Sequence, residues 1–155
     1  MNRKIRAIVI IAISLILPCF LIPHNSGDMS IYYMDLINSE FGISLSPSNC
    51  SLQYGHSLLS RDSIYSVCFN LDPSYSQVLP YASSKWAKDA RNWNTKYLLP
   101  YIGIVDGLDA MLIASQDPNS YSIIDIREDN SYSVSFSILS LSMDNNQLFY
   151  FHIST

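Results

Sequence analysis

The chain has 155 residues, enough for one domain of about 130 residues once an N-terminal leader is set aside, and a domain of that size buries a core without staples. Only 14% of the residues are charged, and the net charge is −4. Residues 1–22 carry three of the nine basic side chains and none of the thirteen acidic ones; the remainder therefore has a net charge of −7, which excludes a domain-wide phosphate-tracking face and with it a nucleic-acid binder.

The leader opens with Arg3, Lys4 and Arg6, followed by an uncharged run from Ala7 to Leu17. A cationic head before a short apolar run is the signal read by the export machinery. As a helix, Ala7 to Ile22 covers about 24 Å against a hydrocarbon core of about 30 Å, and Pro18 interrupts it. That length suits a cleaved signal peptide over residues 1–22. The lack of a small-x-small cleavage site suits a retained transmembrane helix with its basic end in the cytoplasm. A third fate is lipidation at Cys19, where Leu17 fits the lipoprotein pattern and Pro18 replaces the expected small residue. Under all three, the rest of the chain is expected outside the cytoplasm, in the cell envelope or periplasm, and the N-terminal segment meets the membrane.

Residues 23–28 read as a linker, and residues 29–155 as a single extracytoplasmic α+β domain. Asp28 caps a helix that runs to about Phe41: Met29, Tyr32, Tyr33, Leu36, Ile37 and Phe41 recur at helical spacing, and Gly42 stands where helices stop. Cys50 to Tyr54 and Ile64 to Leu71 alternate as strands of a hairpin that turns near Ser60 to Asp62. Two registers compete there. One sets Cys50 opposite Cys68, and a bridge between them would stabilise by about 3 kcal/mol. The other aligns Leu52 and Tyr54 with Tyr65 and Val67 and separates the thiols, unless a one-residue bulge reconciles the two.

Asp72-Pro73 is a helix start, and Ser83 or Ser84 opens a second short helix with Trp86, Ala90 and Trp93 on one face. From Tyr97 the chain reads as strands: Tyr97 to Val105, Leu108 to Ser115, Tyr121 to Arg127, the serine-alternating Tyr132 to Ile138, and Leu148 to Ile153. Short Asp/Asn turns between them imply an antiparallel meander. The expected fold is α+β: five to seven antiparallel strands ending in a meander, two or three helices on one face, and a hydrophobic leader helix in front.

The motifs of catalysis and cofactor binding are missing. No glycine-rich phosphate loop, HExxH or CxxC occurs, and His24, His56 and His152 are scattered, so neither metal nor cofactor is expected. Gly55-His56-Ser57 begins like a nucleophile elbow but lacks the closing glycine. His56 and Asp62 flank the hairpin turn and make the best hydrolytic pairing available. Lys85, Lys88, Arg91 and Lys96 interleave with Trp86, Trp93 and Tyr97, which sets a basic-aromatic partner-binding patch against the plainer reading of a core stripe with solvated charges. The resulting expectation is an envelope protein without enzymatic activity that binds another protein, as an accessory or immunity-like factor. The alternatives are a small hydrolase built on His56 and Asp62, and a ligand-binding module lined by Tyr33, Trp86 and Tyr97.

Overall fold

A computed structural model describes residues 26–59, 63–88, 96–130 and 133–154. The leader, Cys19, Asp62, Arg91 and Trp93 lie outside these residues. Helix α1 (Ser26–Phe41) comes first, then strands β1 (Cys50–Leu59) and β2 (Ser63–Leu71), helix α2 (Pro73–Val78) and the two-residue strand β3 (Ala87–Lys88). Helix α3 (Leu108–Ser115) follows, then β4 (Tyr121–Asn130), β5 (Ser133–Ser142) and β6 (Gln147–Ser154). Among the described residues, no helix is long and apolar enough to cross a membrane.

The six strands form one antiparallel sheet in the order β1-β2-β6-β5-β4-β3. The hairpin and the C-terminal meander are both present, joined by pairing of β2 with β6. Helix α1 stops where the sequence says it should: Gly42 takes φ +69° and donates its N–H to the Asn38 carbonyl at 2.9 Å. Asp72 caps α2, accepting from the Ser74 N–H at 2.9 Å.

The helices expected from the sequence, α1 and α2, share one side of the sheet, with Tyr75 of α2 packed on the α1 cluster, whereas α3, expected as a strand, covers the other side. Successive residues of β6 serve opposite sides. Leu148 and Tyr150 pack with α1 residues Tyr33, Ile37 and Phe41, while Phe149 and Phe151 pack with α3 residues Leu108 and Met111. Strand β5 divides the same way, with Leu139 and Leu141 toward α1 and Phe136 and Ile138 toward α3. A sheet covered on both faces needs apolar side chains at both parities, and such strands read as continuous apolar runs. Of the serines that made β5 look half-solvated, Ser137 is buried and Ser135 partly so; further along the strand Ser140 and Ser142 are buried too, and Ser122 and Ser140 share a hydrogen bond at 3.0 Å.

The middle of the chain also departs from expectation. Leu108 to Ser115 is helical, not a strand. Its apolar residues fill both parities, so alternation says nothing there, and leucine, alanine and methionine favour a helix. Tyr97 to Val105 contains a 3₁₀ turn at Leu99–Tyr101, with Pro100 inside it, instead of a strand. Of the expected Ser83–Trp93 helix, the described residues 83–88 are not helical: a turn at 84–85 leads into the edge strand β3.

Candidate functional site

The β1–β2 register resolves the cysteine conflict. Cys50 faces Leu71 and Cys68 faces Tyr54, with a bulge at Gln53 between them. The bulge predicted as a means of uniting the thiols is there, yet it leaves them on opposite faces of the sheet. Cys50 packs toward α1, Cys68 packs toward α3, and both are buried free thiols, so the bridge is not formed. Burial pushes the Cys68 thiol up to about 12, although Tyr54 beside it pulls the other way. Its Sγ donates to Gln53 Oε1 at 3.2 Å, which gives the extra residue of the bulge a partner.

Gly55, His56 and Ser57 lie within β1, not at a strand-to-helix turn, so the elbow geometry does not occur there. His56 is exposed, with its ring 5.5 Å from that of Tyr54. Gly55 lets the α1 layer come close: a Cβ on it would stand 2.7 Å from the Tyr33 ring.

The basic-aromatic cluster is divided by the sheet. Trp86 is half-buried against the α1 side, whereas Tyr97 packs against the α3 side with Lys96 Nζ 5.2 Å from its ring centre. Lys85 shares a cleft of about 320 Å³ with Glu40 and Asp125, so acids accompany it there, and Lys88 is exposed on the edge strand β3. The same division separates Tyr97 from Tyr33 and Trp86, so those three do not line one pocket.

Composition gave no sign of two other arrangements. The first is a polar network beneath α1. Glu40 Oε1 accepts from Ser137 Oγ at 2.6 Å, Glu40 Oε2 accepts from Tyr150 Oη at 2.8 Å, and Ser137 Oγ lies 2.8 Å from His152 Nδ1. Serine has one proton, and the carboxylate takes it, so His152 Nδ1 must bring the hydrogen of the second bond. Burial holds the imidazole below its ordinary value, with Glu40 opposing and Arg127 adding to the shift. The order of groups differs from that of a hydrolytic triad. Here serine stands between imidazole and acid and is only 1% exposed, so the network ties α1 to β5 and β6.

The second arrangement is a cleft of about 400 Å³ where α3 ends beside the β5–β6 turn. Ala110, Ile113 and Phe149 supply its apolar surface, and Asp117, Asp144 and Asn145 its polar surface. Asp117 Oδ1 accepts from the Asn119 N–H at 2.8 Å, while Oδ2 is buried with no hydrogen-bond partner. Ile113 is 73% exposed beside it, and in the same layer Leu99 is 59% and Ile104 65% exposed. No group of three or more metal-ligating side chains occurs among the described residues.

No family model, curated protein or solved structure matches this chain.

Proposed function

We propose that this chain is an exported or membrane-anchored envelope protein that binds another protein through the α3 side of its sheet, as an accessory or immunity-like factor without enzymatic activity. The observation that carries this reading is the exposure of Leu99, Ile104 and Ile113, three large aliphatic side chains in the single layer that covers one sheet face. Isolated exposed aliphatics are ordinary, whereas several in one layer beside a cleft mark an interaction surface. The cationic leader head supports the export part. The reading also fits the absence of a catalytic motif in the sequence and the burial of Ser137 between His152 and Glu40.

The test is photocrosslinking in living cells of the native host. A benzophenone side chain placed at Leu99, Ile104 or Ile113 is expected to give one discrete protein adduct. The same group at Val78, which is exposed on α2, is expected to give none. Equal adduct patterns from both regions, or no adduct from either, would end the proposal. Incubation with a panel of ester and peptide substrates is expected to give equal background rates for wild type and His56→Ala, and a rate lost in the variant would favour the hydrolase instead.

A further inference from the structure

We infer that β1 pairs antiparallel with β1 of a second copy of this chain, so that two sheets join into one across a two-fold axis between His56 and Ser57. This goes beyond the protein-binding reading above and leaves the α3-side surface free. The first support is the composition of the edge. Strand β3 pairs only with Tyr121 and Ser122, so among the described residues the rest of β4 is also an edge, and it carries Asp125, Arg127, Glu128 and Asp129. Charged side chains there deter another strand. Strand β1 has a neighbour on one side only, yet it has no Lys, Arg, Asp, Glu or Pro. In this it matches β2, β5 and β6, each of which is paired on both sides.

The second support is a helix that reaches past the sheet. Tyr33 of α1 lies against Gly55 of β1, while Glu40 bonds Ser137 of β5 and Tyr150 of β6, so α1 crosses the strands with its N-terminal end toward the β1 edge. The seven residues before Tyr33 add about 10 Å in that direction, roughly two strand spacings. Met29 heads the stripe that continues through Tyr33, Ile37 and Phe41; those three are buried, but Met29 is only half-buried. Ile31 and Tyr32 beside it are 52% and 48% exposed. The first two turns of α1 thus lie where one further strand would complete their cover.

A second copy fits this edge by its own geometry. The Gln53 bulge interrupts the ladder and leaves Tyr54–Leu59 as the regular stretch. Its midpoint falls between His56 and Ser57. An axis there, perpendicular to the sheet, sets His56 against Ser57 of the copy and Gly55 against Leu58 of the copy. The same axis keeps both α1 helices on one face. Each crosses β1 near Gly55, so they stand three residues apart along the strand, about 10 Å, which is the spacing of packed helices. Tyr32 meets Tyr65, whose β1 neighbour is Ser57, so Tyr32 lies on the side of α1 that faces the axis. An uncharged strand also meets no like charge in its own copy.

Sedimentation velocity on the purified full-length chain is expected to show a monomer–dimer equilibrium across a concentration series. His56→Asp combined with Ser57→Asp sets like charges opposite each other twice and should weaken the dimer about tenfold. His56→Lys combined with Ser57→Asp sets opposite charges there and should restore it, and Val78→Asp, on exposed α2, should leave it unchanged. The register is read by mixing His56→Cys protein with Ser57→Cys protein under mild oxidation. Peptide mass should find a disulfide joining the two introduced cysteines in the mixture, and neither variant alone should bridge at its introduced cysteine. This readout decides the matter if a charged variant fails to fold. A chain that stays monomeric at every concentration, even if its edge takes up a strand of another protein, would overturn the inference. So would a dimer that survives the paired aspartates, as one held by the leader would, or a mixture without the mixed disulfide.

Discussion

Tyr54 shows how one side chain can fasten two layers. It projects from the bulged part of β1, and its hydroxyl donates to the Gly107 carbonyl at 3.2 Å, just ahead of α3. Gly107 holds φ +83°, and a Cβ on it would stand 2.6 Å from the Tyr54 ring. Both the backbone conformation and the close approach require glycine. Gly107→Ala is therefore expected to lower unfolding free energy by about 1–3 kcal/mol in a denaturant titration, the range for a non-glycine residue held left-handed. The neighbouring thiols give a second prediction at this scale. Thiolate is the reactive form, and Cys68 is raised to about 12 while burial also raises Cys50. Native protein treated with iodoacetamide at pH 8 should carry no label on the peptides containing Cys50 or Cys68, and both should label fully in urea. Rapid native labelling of either would mean that its layer opens.

At the level of whole elements, α1 is held by polar ties as well as by its apolar stripe. Asn38 accepts from the Leu45 N–H at 2.7 Å and donates to the Leu45 carbonyl at 2.9 Å, fixing the chain as it returns to the sheet. Asn38→Ala removes both partners of part-buried backbone groups and should cost about 1–3 kcal/mol. The Glu40–Ser137–His152 network adds a pH dependence. The folded state holds His152 below its ordinary value, so the unfolded chain binds more protons in that interval. The corresponding stability is complete above about pH 6.5 and is lost as pH falls through the depressed value. The stability difference between wild type and His152→Gln should thus shrink as pH drops from 7 to 5, and a difference independent of pH would show that the imidazole does not titrate there. The network also marks the limit of what the sequence made legible. The Phe41–Gly42 stop, the Asp72-Pro73 start, the hairpin and the meander depend on neighbours in the chain, and the residues announce them. Glu40 and Ser137 are 97 positions apart, and no local pattern couples them. Leu108–Ser115 misleads for a related reason: a short run that is apolar on its exposed face as well as on its buried one lacks the periodicity that separates helix from strand. Within the candidate site, Ile113 and Asp117 were visible only as a strand residue and a turn residue, because the cleft arises from α3 meeting the β5–β6 turn.

Viewed as a whole, the molecule has an unequal pair of sheet edges and an asymmetric distribution of charge. Strand β1, at one edge, has no charged residue in Cys50–Leu59, whereas the β3–β4 side carries Lys88, Asp125, Arg127 and Glu128. Charges on edges discourage strand-to-strand association, and at β1 the Gln53 bulge is the remaining deterrent. Charge is divided along the chain as well: the leader is wholly basic and the rest strongly acidic. If the proposed export is right, Arg3, Lys4 and Arg6 hold the N-terminus in the cytoplasm while the acidic part crosses, because basic residues flanking an apolar segment set its orientation. Replacing all three with glutamate removes that bias without touching any residue of the sheet or its helices. In spheroplasts, protease added outside should digest the wild-type chain and spare the triple variant, which stays inside or inserts in the opposite sense. Intact mass of the wild type would report cleavage after residue 22 or an acylated Cys19, and an uncut mass would identify a retained anchor. Equal protection of wild type and variant from external protease would mean that the leader does not direct export, and the envelope reading would fall with it.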